Sequence, residues 1–179
     1  GEGVIAPLRS LSTPLLTDVA PTSYAGLLRQ FDAYVVDGRH YAARTRSISQ
    51  FSPEVIAALL EAGQRQTSRC SMIAVHHFHG AATRVPLAST AFGRRTPHRM
   101  IEIVAAWEPE DDRAAHVDWA NRVAADLAPY ALPGGYPNML GPGDHEQIAH
   151  AYGSNAARLR AAKKQFDPNG VFSAIALPG

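Results

Sequence analysis

Apolar positions along the chain switch repeatedly between helical and extended spacing. Leu8 to Pro21 sets Pro7, Pro14 and Pro21 between short apolar pieces and reads as a strand or irregular segment through Leu15, Leu16 and Val19. Ser23 to Phe31 places Tyr24, Leu27, Leu28 and Phe31 at helical spacing. After the turn signal Asp37-Gly38, Tyr41 to Phe51 alternates as a strand does. Ser52 as N-cap and Pro53 at the first helical position open a helix whose apolar face is Val55, Ile56, Leu59 and Leu60, with Gly63 as its terminator. Cys70–Phe78 and Met100–Trp107 predict strands, with a weaker strand over Ala82–Ser89. Acids at 110–112 precede a helix reaching about Leu127, striped by Ala114, Val117, Ala120, Ala124 and Leu127. Leu132–Gly143, rich in Pro and Gly, predicts a loop. Helices over His145–Tyr152 and Asn155–Phe166 follow, the second stopped by Asp167-Pro168-Asn169-Gly170. Short connections between such elements predict an α+β fold, an antiparallel sheet with helices on one face.

Length adds that 179 residues suit a single domain with a core of its own. Lys and Arg number 17 and Asp and Glu 16, for a net charge of +1 with the signs interspersed. That excludes the concentrated positive charge of a nucleic-acid or anionic-membrane surface. Cys70 is the sole cysteine, so no disulfide forms within the chain. No apolar run reaches the roughly 18 residues of a spanning helix, and Gly1-Glu2-Gly3 shows no signal-peptide character, which makes the cytoplasm the expected location. The chain begins without Met, so it is expected to derive from something longer.

Candidate chemistry is sparse. No glycine-rich phosphate loop precedes a helix. In His76-His77-Phe78-His79, strand alternation puts His77 and His79 on one face and His76 and Phe78 on the other. Two imidazoles lack a third metal ligand, and no carboxylate follows nearby before Glu102, so the polar rim of a cleft is the better reading. Cys70, entering an apolar strand, reads as a small buried hydrophobe rather than a nucleophile. Tyr136 and Asn138 sit in the stiff segment Gly134-Gly135-Tyr136-Pro137-Asn138, where a phenol can serve as general base or substrate hydrogen-bonder.

The C-terminal run is more specific. Tyr152-Gly153-Ser154-Asn155-Ala156-Ala157-Arg158-Leu159, then Lys163-Lys164, then Phe166-Asp167-Pro168-Asn169 and Val171-Phe172, resembles the ending of the berberine-bridge-enzyme-like FAD-linked oxidases. Tyr136-Pro137-Asn138 is similar to the family's Tyr-x-Asn, His79-Gly80-Ala81 to its Gly-Gly-Ala, and Thr90-Ala91-Phe92 with Arg95 to its Thr-Ala-Phe-x-x-Arg. Trp107-x-Pro109 and Trp119 agree as well.

The resemblance implies residues 1–140 as substrate-binding domain and 141–179 as a segment that returns to a flavin domain, which this chain lacks. It implies FAD as cofactor, hydride transfer from a small organic substrate, reoxidation by oxygen, and inactivity of the chain alone. Tyr136 and His79 become the catalytic candidates, Asn138 a group near the flavin, and His77, Arg84 and Met139 substrate contacts. Arg84 stands where some members have a carboxylate base, and a guanidinium cannot take that role at ordinary pH. The rival reading is a stand-alone small-molecule-binding or interaction module without redox chemistry. The implied partners are a separate flavin domain or a second copy, meeting the chain through residues after 140.

Overall fold

The computed structural model describes residues 2–14, 16–17, 19–30, 32, 34–141, 143–173 and 177–178. Length alone predicts one domain over 1–179; the chain groups into two compact units, Gly1–Asp37 and Gly38–Gly179. The first unit holds helix α1 (Glu2–Arg9) and helix α2 (Tyr24–Arg29). Ser23 caps α2 by accepting from the Gly26 amide at 3.0 Å. The strand alternative for 8–21 is not formed among the described residues: α1 runs to Arg9 and irregular chain follows. Leu15 and Phe31 lie outside the described residues.

The second unit is α+β. Strands β1 (His40–Ile48), β2 (Met72–Phe78) and β3 (His98–Trp107) form an antiparallel sheet in the order β1-β3-β2. In its register Ile101 faces Arg46 and Val75, and Ile103 faces Arg44 and Ile73. β3, the central strand, is covered on both faces: eight of its ten residues are buried. One face of the sheet carries Ile101, Ile103, Ala105 and Trp107 against helices α3 (Pro53–Gln64) and α5 (Arg113–Leu127). Ile48, Ile101, Ile103 and Leu127 are fully buried there, worth about 1.5–3 kcal/mol each. Trp119 Nε1 donates to the Ala62 carbonyl at 3.0 Å and ties α5 to α3.

Caps follow the sequence. Ser52 accepts from the Val55 amide, and Asp112 from the Ala114 amide at 3.0 Å. Three details differ. The buried stripe of α3 is Val55, Ala58, Leu59 and Ala62, so Ile56 and Leu60 are exposed, and the helix runs through Gly63 to Gln64. On α5, Ala114 is exposed while His116 and Trp119 are buried. The weak strand expected at 82–89 is instead a short helix, α4 (Ala81–Arg84), followed by a 3₁₀ turn at Leu87–Ser89. Gly80, at φ 64°, turns the chain out of the extended direction, and Pro86 blocks its return to a ladder. Helices α6 (His145–His150) and α7 (Ala156–Phe166) close the unit.

Candidate functional site

The sheet face turned away from α3 and α5 carries His98, Met100 and Glu102 of β3 with His76 and Phe78 of β2. Aromatic rings gather at one end of that face. Phe78 stacks on His98 with centroids 4.6 Å apart, on Phe92 at 6.0 Å and against Tyr136 at 5.9 Å, and Phe92 meets Tyr136 edge-on at 6.1 Å. They border a cavity of about 420 Å³ completed by Arg95, Asn138 and Tyr152. It is largely apolar, the composition expected of a small-molecule pocket.

Polar groups are few and placed. Asn138 Nδ2 donates to the Tyr136 phenol oxygen at 3.1 Å, which leaves the phenol hydrogen to be directed to a bound molecule. Pro137 opens the 3₁₀ turn Pro137–Met139 that fixes both residues. Burial in the ring stack pushes the His98 imidazole below its ordinary value, and Arg94 lowers it further; a hydrogen bond to the Thr96 carbonyl opposes both. Burial likewise raises the Tyr152 phenol.

The C-terminal motif builds the cavity's outer wall. Asn155 is buried and its Nδ2 donates to the Leu87 and Thr90 carbonyls at 3.0 and 3.1 Å. Arg158 reaches the Ala88 carbonyl at 2.8 Å. Gly93 lets the loop touch the chain at Tyr152, because a Cβ there would lie 2.4 Å from the Tyr152 carbonyl carbon. The segment that presents Phe92 and Arg95 is therefore clamped by α7 and its approach.

The expected site residues divide. Tyr136 and Asn138 line the cavity together. Met139 is half-buried at the end of the same turn, and Arg84 ends α4, exposed. His77 and His79 stack on each other at 4.2 Å, and alternation sets them on the opposite face from Phe78 and Tyr136. Among the described residues, no group of three potential metal ligands occurs. Sequence reading passed over two residues the sheet brings together, His76 and Glu102, bonded at 2.7 Å on the cavity's face. They are 26 positions apart, and only strand register could have paired them.

Known proteins resemble this chain in sequence and fold. The sequence profile described as "Berberine and berberine like" matches residues 136–175, from the cavity tyrosine through the clamp. The FAD-linked oxidoreductase aurO of Gibberella zeae is 28% identical over 173 residues, 96% of this chain and 34% of the relative. An uncharacterized FAD-linked oxidoreductase, YvdP of Bacillus subtilis, is 34% identical over 93 residues, 52% of this chain and 21% of the relative. The chain is similar to the C-terminal part of berberine-bridge-enzyme-like FAD-linked oxidoreductases. It spans about a third or less of the length of these relatives. Berberine bridge enzyme from Eschscholzia californica shares its fold at TM-score 0.64 and 22% identity, over 80% of this chain and 34% of that one. So does a glycopeptide hexose oxidase solved with teicoplanin, at TM-score 0.61 and 20% identity, over 73% and 30%.

FAD is the cofactor named for the sequence relatives. The ring-lined cavity of about 420 Å³, with a hydroxyl and an amide at its rim, suits a planar aromatic molecule of substrate size rather than the whole dinucleotide. The diphosphate has no matching seat among the described residues: the approaches at Gly93 and Gly134 are filled by the backbone of Tyr152 and His150.

Proposed function

We propose that this berberine-bridge-enzyme-like chain is the substrate-binding side of an FAD-dependent oxidoreductase. The carrying observation is the cavity in which Tyr136 and Asn138 of the family motif converge with Phe78 and Phe92 on an exposed edge of the sheet. A small organic molecule binds against the rings of Phe78, Phe92 and Tyr136. FAD, held by residues outside this chain, supplies the hydride acceptor. Tyr136 orients the substrate group that loses a proton, and moves that proton through its phenol oxygen. Asn138 fixes the phenol's direction. The hydrogen-bonded pair of His76 and Glu102, on the same face, is the nearby group that can hold the proton afterwards. Phe78 and Phe92 exclude water from the reacting end.

The residues after 140 carry the contact with the flavin-binding part. Phe166, Val171 and Phe172 are 73–78% exposed, and a patch of that kind on a soluble chain calls for a cover. Divided in this way, the chain alone neither holds FAD nor turns over substrate.

Absorption spectroscopy and turnover test the reading. The purified chain is expected to show no flavin band and no activity after incubation with FAD. Fused to the FAD-binding region of a relative, it is expected to reduce flavin when substrate is added. A yellow, active 179-residue chain would overturn the proposed division of labour.

A further inference from the structure

The cavity's charge is as informative as its rings. Arg95 lines it, with its guanidinium carbon 5.0 Å from the Phe92 ring centroid. Nη1 donates to the Ala82 carbonyl at 2.9 Å and Nη2 to the Thr90 hydroxyl, both neutral acceptors. Nε is buried with no hydrogen-bond partner. Arg94, next along the chain, donates to the Pro133 carbonyl, another neutral group. Among the described residues, neither guanidinium has an ion pair; the carboxylates that do pair are committed to Arg39, Arg46, Arg65, His76 and Lys163. Burial pushes the Arg94 guanidinium below its ordinary value, as expected of a cation with no anion nearby. Buried or half-buried arginines are ordinarily compensated. Here two cations adjacent in the chain have no carboxylate partner among the described residues, and one of them, Arg95, lines an apolar, aromatic cavity.

We propose that the cavity takes a planar aromatic molecule bearing an anionic group, a carboxylate or an ionised phenol, whose ring lies among Phe78, Phe92 and Tyr136 and whose charge is met by Arg95. Arg94 adds to the same positive field. This rests on the cavity being the substrate side, and it narrows the substrate class from any small organic molecule to aromatic acids and acidic phenols. An aliphatic alcohol or sugar would leave the rings without a stacking partner and the guanidinium without a counter-charge.

The test uses the 179-residue chain without FAD, so that its failure and a failure of the redox reading are separable. Binding of 2-naphthoate, 2-naphthamide and lumiflavin is followed by calorimetry. Naphthoate is expected to bind about tenfold or more tightly than its neutral amide, the scale of a hydrogen bond to a charged group. Lumiflavin is expected to bind no better than the amide. Arg95→Gln is expected to remove the preference, while Arg95→Lys, which keeps the charge, retains most of it. Equal binding of acid and amide, or none of either, would overturn the proposal even if Arg95→Gln failed to fold, because the comparison is made on the unaltered chain. Tighter binding of lumiflavin than of naphthoate would overturn it too, by assigning the cavity to the cofactor ring.

Discussion

At the scale of single residues, Tyr136 and His98 make opposite demands on their surroundings. Tyr136 keeps its phenol at the cavity rim, its oxygen fixed by Asn138. In the fused, flavin-bearing protein, Tyr136→Phe is expected to lower kcat by about 10²–10⁴-fold, the usual worth of a positioned proton-transfer group, with little change in KM. His98, by contrast, is buried and held neutral, stacked on Phe78. Its folded value lies below the roughly 6.5 of an unfolded histidine. The unfolded chain therefore binds the proton first, and stability falls as pH drops from about 6.5 toward the folded value. Urea unfolding at pH 7 and pH 5 should show that loss, and His98→Gln should flatten it. Sequence alone made Tyr136 and Asn138 visible, because they share one stiff turn. It could not reveal that His77 and His79 stack away from them, nor that His76 meets Glu102. Both facts depend on which way β2 faces once paired with β3.

At the scale of elements, most of the fold is legible where local chemistry and burial agree. Ser52 and Asp112 cap their helices, and β3 announces itself as an apolar run because the sheet buries both its faces. The signal fails where tertiary contacts choose among apolar residues. Ile56 and Leu60 of α3 satisfy helical spacing as well as Val55 and Leu59 do, yet the smaller Ala58 and Ala62 face the core. The 82–89 segment fails for another reason: its shape is imposed by Gly80, Pro86 and the clamp from Asn155 and Arg158. That clamp gives the C-terminal motif a structural purpose near the cavity. Asn155→Ala removes the two hydrogen bonds that a buried side chain gives to the Leu87 and Thr90 carbonyls and should cost about 1–3 kcal/mol. Gly93→Ala forces a Cβ into the backbone of Tyr152 and should cost a similar about 1–3 kcal/mol. Both should raise amide exchange across 87–95 while leaving β3 protected, as native-state exchange by mass spectrometry would show.

For the whole molecule, the distribution of apolar surface is uneven. The core between the sheet and helices α3 and α5 is closed, whereas none of the described residues of 1–37 is buried and Phe166, Val171 and Phe172 stand in solvent. Asp167 holds the tail that presents Val171 and Phe172 just beyond Phe166 at the end of α7, accepting from the Val171 amide at 2.8 Å and the Phe172 amide at 3.0 Å while Lys163 pairs with its carboxylate. Lys163 lowers the Asp167 carboxyl from its ordinary value, so the tail keeps its anchor at neutral pH and loosens only as acid protonates that group. An exposed aromatic pair held in place by a charged anchor is prearranged for contact rather than left over from it. Fully covering one phenylalanine gains about 1.5–3 kcal/mol, so covering both gains about 3–6 kcal/mol, or roughly 10²–10⁴ in affinity. Replacing Phe166 and Phe172 together by Ser should therefore leave the chain's own unfolding free energy within about 0.5 kcal/mol, since neither side chain is buried in it. It should nonetheless abolish capture of a separately expressed FAD-binding region at micromolar concentration. Sedimentation separates this from the rival cover: if the double substitution instead converts a concentration-dependent dimer of this chain to monomer and leaves flavin-region capture intact, the patch belongs to a second copy.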